Sequence, residues 1–189
     1  MTACRRDAHE FWPFRPKPIG DEAFSSWFSR LAWANGLTPS ELFRVASPGA
    51  RLHRLDLDRY AGLDLIESLG SHTGIPTDEL VSRTLDRWLG TLIEEAEGRE
   101  KLLWLPPAGT IEKSRCFGQQ VCPECLRHQD VPYLQQLHRL AFVTSCPVHH
   151  VQLVDRCPQC TAPVQPLYAS SVPGDICRCW NCGSDFRET

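Results

Sequence analysis

The chain has 189 residues, of which 42% are hydrophobic and 23% charged, and its formal net charge at pH 7 is -3. This length allows one domain, or two small ones, with a modest core. The sequence contains no apolar run of about 18 residues, which excludes a membrane-spanning helix. The acidic balance gives the chain little general attraction to phosphate groups.

The N-terminal stretch MTACRRDAHEFWPFRPKP carries charges and prolines but lacks the apolar segment of a secretory signal, so we expect a cytosolic protein. The proline-rich segment FWPFRPKPIGDE predicts an extended arm. A helix is predicted to follow, because Phe24, Trp27, Phe28 and Leu31 recur with the i, i+3, i+4, i+7 spacing of one helical face. Asn35-Gly36 predicts its C-terminal end, since glycine tolerates a positive φ.

A second helix is predicted directly afterwards. Thr38-Pro39-Ser40-Glu41 combines an N-cap, a proline at the first helical position and the acid of a capping box. Leu42, Phe43 and Val45 are expected on the buried side of this helix. Residues 47–60 have only a weak pattern and predict a loop with a short turn.

Residues 62–97 contain two helical patterns joined by the turn Thr73-Gly74-Ile75-Pro76, an arrangement that resembles a helix-turn-helix. The first pattern predicts Leu63, Ile66 and Leu69 on the inner side. The second begins with Thr77 as its cap and predicts an inner side of Leu80, Val81, Leu85, Trp88, Leu89 and Leu92. Acidic residues outnumber Arg83 and Arg87 in the second helix, which favours a packing unit over a reader of DNA bases.

The ten cysteines are better explained as metal ligands than as disulfides in a reducing compartment. Eight Cys and His residues form four short knuckles, Cys122-Pro-Glu-Cys125, Cys146-Pro-Val-His149, Cys157-Pro-Gln-Cys160 and Cys179-Trp-Asn-Cys182. Twenty residues separate the first two knuckles and eighteen the last two, a spacing typical of structural zinc. Sequential pairing therefore predicts two zinc ions per chain, the first in a Cys3His site and the second in a Cys4 site.

Some ligand choices stay open at this point. A cross-braced pairing of the first knuckle with the third is disfavoured by the linker between His149 and Cys157. His150 can replace His149, and Cys177 can replace Cys179, although Gly183 favours a zinc-ribbon turn that uses Cys179. Cys4, Cys116 and Cys177 are then spare thiols with the packing role of small apolar residues.

The chemistry of these sites favours structure over catalysis. A catalytic zinc keeps an open coordination position, whereas each site here has four available ligands. The zinc-deaminase pattern is absent, and a redox role for a single C-x-x-C pair explains four knuckles less well than metal does. We therefore expect a protein that is not an enzyme.

The predicted fold class is mainly α with small zinc-stabilised modules. A helical domain with the helix-turn-helix-like element spans residues 1–115, and a tandem zinc-binding domain spans 116–189, divided into modules at about 116–152 and 153–189. Between the first two knuckles, residues 132–142 predict a helix with Leu134, Leu137, Leu140 and Ala141 inside. His138 and Arg139 are expected to face outward.

Two sequence segments together resemble the TniQ proteins of bacterial transposons, which are related to the targeting protein TnsD. The stretch from Gly20 to Ala32, GDEAFSSWFSRLA, is similar to the family's D-E-x-x-x-S-W-x-x-R-x-A signature. The second segment runs from Cys122-Pro-Glu-Cys125-Leu-Arg through Pro132-Tyr133 and Cys146-x-x-His149 to Cys157-Pro-x-Cys160, in family order. The chain ends seven residues after Cys182, as in the short members found in CRISPR-associated transposons.

The resemblance implies a non-catalytic target-selection adaptor in bacterial DNA transposition. Such an adaptor connects target DNA and a target-recognition complex, here expected to be a CRISPR effector with its guide RNA, to the AAA+ ATPase TnsC. The ATPase forms filaments on DNA and recruits the transposase, and the adaptor is expected at the filament end. The rival interpretation is a zinc-ribbon, helix-turn-helix transcriptional regulator that binds DNA without a partner.

Under the adaptor interpretation, two sets of residues are candidates for contacts with partners. The partner-binding candidates lie in and after the N-terminal arm, although Trp27 fits core packing equally well: Trp12, Phe14, Arg15, Trp27 and Arg30. The nucleic-acid candidates are the arginines Arg51, Arg54, Arg83, Arg87, Arg127 and Arg139.

Overall fold

The structure is a computed structural model, and it describes residues 11–49, 52, 56–94, 102–108, 117–169 and 174–188. Arg51 and Arg54, the spare cysteines Cys4 and Cys116, and the domain boundary expected near residue 115 lie outside these ranges. Within them the chain is mainly helical, and its β-structure is limited to isolated bridges. The predicted fold class is therefore confirmed.

The N-terminal half contains five α-helices in the described ranges. They are α1 (Phe24–Ala34), α2 (Pro39–Ala46), α3 (Leu57–Tyr60), α4 (Leu63–Thr73) and α5 (Thr77–Val81). The capping box of α2 is present, with the Thr38 hydroxyl and the Glu41 carboxylate each bonded to the other residue's backbone N–H. Gly74 ends α4 in the left-handed conformation, as its place in the predicted turn requires.

The main core forms around α1, because its whole inner face is covered by the other helices. Phe24, Trp27, Phe28 and Leu31 are fully buried there, and each such side chain contributes roughly 1.5–3 kcal/mol on leaving water. The predicted inner positions Val45 and Leu63 are instead 55% and 69% exposed. They lie on the outer faces of helices whose inner faces are filled by neighbouring residues such as Ala46 and Leu65.

The second helix of the helix-turn-helix-like element is much shorter than predicted. It ends at Val81, and a 3-10 turn at Leu85–Trp88 follows. The hydroxyl of Thr84 donates to Val81 O at 2.8 Å and accepts from Asp86 N, while Arg83 O accepts the N–H of Phe24 at the start of α1. The Arg83 carbonyl thus supplies a partner for the first turn of α1, which has no side-chain cap of its own at this end.

The C-terminal part holds one α-helix in its described residues, α6 (Pro123–His128), and short 3-10 turns. The prediction of a helix over residues 132–142 is wrong. Leu134 instead accepts the N–H of Ala23 and donates its own N–H to the Ser26 hydroxyl, so this segment pairs with the start of α1. Only Leu137–Arg139 forms a 3-10 turn, and its His138 and Arg139 are buried rather than outward-facing.

The helical and cysteine-rich parts share buried contacts. Leu167, from the C-terminal part, lies in the core around α1, and Trp33 of α1 packs on the core beneath the last two knuckles. A third small core joins Leu85 to Leu140. No described helix is long and apolar enough to cross a membrane.

Candidate metal centres

The first cluster brings together Cys122, Cys125, Cys146 and His149. Cys122 caps the start of α6, and its Sγ accepts the N–H of Cys125 at 3.4 Å. Nδ1 of His149 lies 3.3 Å from Sγ of Cys125 and 3.6 Å from Sγ of Cys146. Sγ of Cys125 lies 3.6 Å from Sγ of Cys146. One imidazole nitrogen and three sulfurs therefore converge on one point.

The second cluster brings together Cys157, Cys160, Cys179 and Cys182. Sγ of Cys157 lies 3.6 Å from Sγ of Cys182, and Sγ of Cys160 lies 3.6 Å from Sγ of Cys179. The hydroxyl of Ser184 lies 3.0 Å from the Cys157 sulfur. Both clusters follow the sequential pairing of knuckles.

The donor atoms fit tetrahedral zinc. Bonds of about 2.3 Å to sulfur and about 2.0–2.1 Å to nitrogen place two sulfurs about 3.8 Å apart, and a sulfur and a nitrogen about 3.6 Å apart. The separations in the two clusters are 3.3–3.6 Å. A disulfide requires about 2.05 Å. The chain thus has two sites positioned to bind zinc, and the metal is identified from the Cys and His donors.

Three of the four knuckles share one backbone conformation. The residue after the second ligand, His150, Thr161 or Gly183, has a positive φ of 56–76°, and its N–H donates to the carbonyl of the first ligand at 2.8–2.9 Å. This repeat explains why His150 is outside the cluster. It occupies the turn position that glycine fills in the last knuckle, so its side chain cannot replace that of His149.

Cys177 is also outside the second cluster. It is fully buried in the core that contains Phe186, and its carbonyl accepts the N–H of Phe186 at 2.8 Å. Burial, together with the nearby Asp175, raises the pKa of its thiol to about 12. The thiol is therefore protonated at neutral pH and behaves as a small apolar side chain.

The knuckles favour the thiolate form at Cys146 in the first cluster and at Cys157 and Cys182 in the second, where hydrogen bonds from Ser184 lower the pKa of Cys182. Burial by itself raises the pKa of Cys146, but N–H groups of His149 and Val148 outweigh it and bring the pKa to about 7. At Cys157, burial is likewise outweighed by the Ser184 hydroxyl and by N–H groups of the knuckle, which bring the pKa to about 6. Since zinc binds thiolates, these three sulfurs are the best prepared ligands.

A match to the TniQ family covers residues 13–153. This range includes the segment around α1 and all four residues of the first cluster. The chain belongs to the TniQ family. TniQ proteins act in target selection for transposition and are non-catalytic adaptors. The second cluster lies beyond the matched range, and no curated protein matches the sequence.

The TniQ signature around α1 forms a buried ion-pair network. Glu22 is fully buried and accepts from the Ser26 hydroxyl at 2.8 Å and from two nitrogens of Arg30 at 2.6 and 2.8 Å. Arg30 also donates to Lys17 O at 3.0 Å. Trp27 is fully buried, and its Nε1 donates to Pro16 O. Of the two roles open to Trp27, the structure shows core packing, and Trp27 and Arg30 both hold the arm to α1.

The arm itself leaves aromatic side chains on the surface. Trp12 stacks on His72 of α4 with ring centroids 4.9 Å apart, and its N–H donates to His72 O. Phe14 is 61% exposed, although Asn35 bonds its backbone on both sides. Arg15 lies over the exposed ring of Phe11 at 4.7 Å. Of the partner-binding candidates, Phe14 and Arg15 are thus presented at the surface by a fixed backbone.

The described nucleic-acid candidates are all engaged within the chain. Arg83 donates to Gly20 O, Arg87 donates to Gln136 Oε1 at 2.7 Å, and Arg127 pairs with Glu124. Arg139 lies in the interior, where its guanidinium contacts Asp56 at 2.6 Å and Asp58 at 2.5 Å. We do not propose nucleic-acid contact through Arg139, because its side chain is not accessible.

Sequence reasoning missed the two carboxylates that hold Arg139. Asp58 also accepts the N–H and the hydroxyl of Ser25 at 2.7 and 2.8 Å, and Asp56 accepts the N–H of Ala108. Burial raises the pKa of Asp58, while Arg139 opposes that rise. The residue types carried no local signal, since these partners are 81 and 83 positions apart in the chain.

Proposed function

We propose that this chain is a cytoplasmic bacterial target-selection adaptor. It links target DNA and a target-recognition complex, a CRISPR effector with its guide RNA, to the AAA+ ATPase TnsC, and through TnsC to the transposase. The observation that carries this proposal is the family match, which spans both the α1 signature and the first metal cluster. The two zinc sites serve as rigid supports for the surfaces that meet these partners.

The state of the arginines supports docking to proteins over independent DNA binding. Arg83, Arg87 and Arg127 are each bonded within the chain, so phosphate contact would first have to replace those bonds. Helix α5 has five residues and is about 7 Å long, which is short for a helix that reads the major groove. Its exposed start carries Asp78, which repels phosphate.

The fixed arm supplies a candidate contact for the ATPase. Phe14 is the large apolar side chain most exposed there, and Arg15 lies beside it. Exposed aromatic residues and arginines are the residue types enriched in the energetic centres of protein interfaces. We assign Phe14 and Arg15 to the contact with TnsC, with Trp12 holding the arm in place through His72.

Reconstitution tests the adaptor role. The zinc-loaded chain, TnsC, effector, guide RNA, transposase and target DNA are combined, and insertion is expected to require this chain.

In co-sedimentation with TnsC filaments, Phe14→Ala is expected to weaken binding at least fivefold. Val45→Ala, which changes a similarly exposed apolar residue on α2, is the matched control. Insertion without the chain would overturn the adaptor role, and equal binding of both variants would overturn the arm assignment.

DNA binding by the chain alone separates the adaptor from the regulator. We expect weak binding to duplex DNA in a gel shift, with a steep loss as salt rises. Tight, sequence-selective binding without TnsC would favour the regulator instead.

A further inference from the structure

A cleft lies between the third core and the chain that leads into the first zinc knuckle. Its volume is about 270 Å³, just below the range of about 300–1,000 Å³ that accommodates small-molecule ligands. Its apolar walls include Phe117, Pro106, Leu103 and Ala141. The space therefore suits a single side chain or a small planar group.

Three described side chains that line the cleft have a polar atom without a described partner. His138 is 2% exposed, and its Nε2 has no hydrogen-bond partner within the described part of the chain. Gln120 donates its amide N–H to Val143 O at 3.2 Å, and no described group bonds to its Oε1. The half-buried carboxylate of Asp155 has no described partner either, although its backbone carbonyl accepts from Val164. The Asp155 carboxylate and Oε1 of Gln120 are only half-buried and can accept hydrogen bonds from a ligand, which favours its binding.

The described lining of the cleft favours a cation. Among the described residues that line it, Arg139 is the one with positive charge, and that charge is offset by Asp56 and Asp58 on the interior side. Burial lowers the pKa of His138 to about 4, so the imidazole is neutral at pH 7, with one acceptor and one donor nitrogen. Asp155 is left as the uncompensated charge among the described lining residues.

We propose that this cleft binds the side chain of an arginine from a partner protein. A guanidinium is planar and positively charged, stacks on aromatic rings and presents five donors, which matches an apolar slot edged by Asp155, Gln120 and His138. Lysine matches less well, because its compact ammonium does not stack. A nucleobase is disfavoured, since it would bring phosphate charge towards Asp155. The inference does not depend on the adaptor function or on the arm.

Nuclear magnetic resonance titration of the full, zinc-loaded chain with N-acetyl-arginine amide tests this site. We expect saturable shifts of the Phe117 and Gln120 amides and of the His138 imidazole, with a dissociation constant in the millimolar range. Asp155→Asn should weaken binding at least fivefold, and Ala141→Leu should block it by filling the wall without a change of charge. Asp130→Asn, which changes an exposed carboxylate that does not line the cleft, is the matched control.

Zinc content and melting temperature establish that each variant is folded. Asp155→Asn and Ala141→Leu change the cleft independently, so one of them still tests the site if the other does not fold. N-acetyl-lysine amide should bind at least threefold more weakly than the arginine probe. Equal binding of the two probes, equal effects of Asp155→Asn and Asp130→Asn, or no saturable shift would overturn the proposal. Saturation by guanosine without saturation by the arginine probe would overturn it in favour of a nucleobase.

Discussion

Cys177 and Cys179 lie two positions apart, yet the structure places them in different roles. Cys179 is a member of the second cluster, whereas Cys177 faces the core around Phe186. We expect Cys179→Ala to bind one zinc ion per chain, because a tetrahedral site that loses one of four ligands loses most of its affinity. Cys177→Ala should retain two, at a cost of about 1 kcal/mol for the small cavity it leaves.

Elemental analysis of the purified variants after dialysis checks this expectation. The two substitutions remove the same atoms from buried positions, so a difference in zinc content reports ligation alone. Loss of zinc in Cys177→Ala, or two zinc ions in Cys179→Ala, would contradict the assignment.

Arg139 is the residue on which the interior charge balance depends. Arg139→Ala leaves Asp56 and Asp58 buried without their cation and is expected to reduce the free energy of unfolding by about 3–5 kcal/mol. Arg127→Ala is the matched control, because Arg127 is exposed and its partner Glu124 is only half-buried, and pairs near the surface contribute about 0–1 kcal/mol. Urea unfolding of both variants measures the difference.

A triple variant separates charge from packing at this position. Arg139→Met combined with Asp56→Asn and Asp58→Asn keeps much of the buried volume but removes the charges, and it should recover part of the lost stability. A loss in Arg139→Ala no larger than in Arg127→Ala would show that the interior network does not stabilise the fold.

The two zinc knuckle pairs differ in their exposure, and this predicts the order in which they lose metal. The three cysteines of the first cluster are buried, whereas Cys182 is exposed and Cys160 is half-buried. A chelator therefore reaches the second zinc more easily. We expect biphasic zinc release with a colorimetric chelator, with the faster phase from the Cys4 site.

Cys179→Ala identifies the phases, because it retains only the first site. Its release should follow the slow phase of the unaltered chain. Release at the fast rate would show that exposure of the ligands does not control access to the metal.

The structural elements differ in how far the sequence predicts them. The eight cluster residues, the bounds of α1 and the capping box of α2 depend on spacings of a few residues, and such local patterns were sufficient to find them. The segment 132–142 has an equally good helical pattern but forms no α-helix, because Leu134 bonds to Ala23 and Ser26 more than a hundred positions earlier. A local sequence pattern does not show that distant residues will bond to the backbone groups that a helix would use.

The same limit applies to the candidate surfaces. His138 and Arg139 follow a pattern that predicts an outer face, but Asp56 and Asp58 draw Arg139 inward. The sequence left Trp27 open between core packing and contact with a partner. Its bond to Pro16 O, and that of Arg30 to Lys17 O, show that both residues hold the arm. Sequence alone thus identifies metal ligands well, because they occur at characteristic intervals along the chain. It identifies surface residues poorly, because their exposure depends on contacts with distant segments.

At the scale of the whole molecule, the helical and zinc-binding parts are connected through the interior. The segment between the first two knuckles bonds to the start of α1, with Gln136 N donating to Asp21 O and Leu134 O accepting from Ala23. Arg139 in the same segment bonds to Asp56 and Asp58. The position of this segment is set by Cys125 before it and Cys146 after it, so the first zinc ion supports contacts well inside the helical part.

This connection predicts that the first metal site stabilises the helices. His149→Ala should lower the melting temperature of the helical signal at 222 nm in circular dichroism by about 10 °C or more, because structural zinc contributes binding energy directly to folding. The helices and the knuckles should unfold in one transition. His150→Asn is the matched control, since His150 is exposed, lies outside the cluster and has a left-handed backbone that asparagine adopts readily. An unchanged helical transition in His149→Ala would mean that the helical part folds independently of the metal, and that the contacts of Leu134, Gln136 and Arg139 contribute little to holding it.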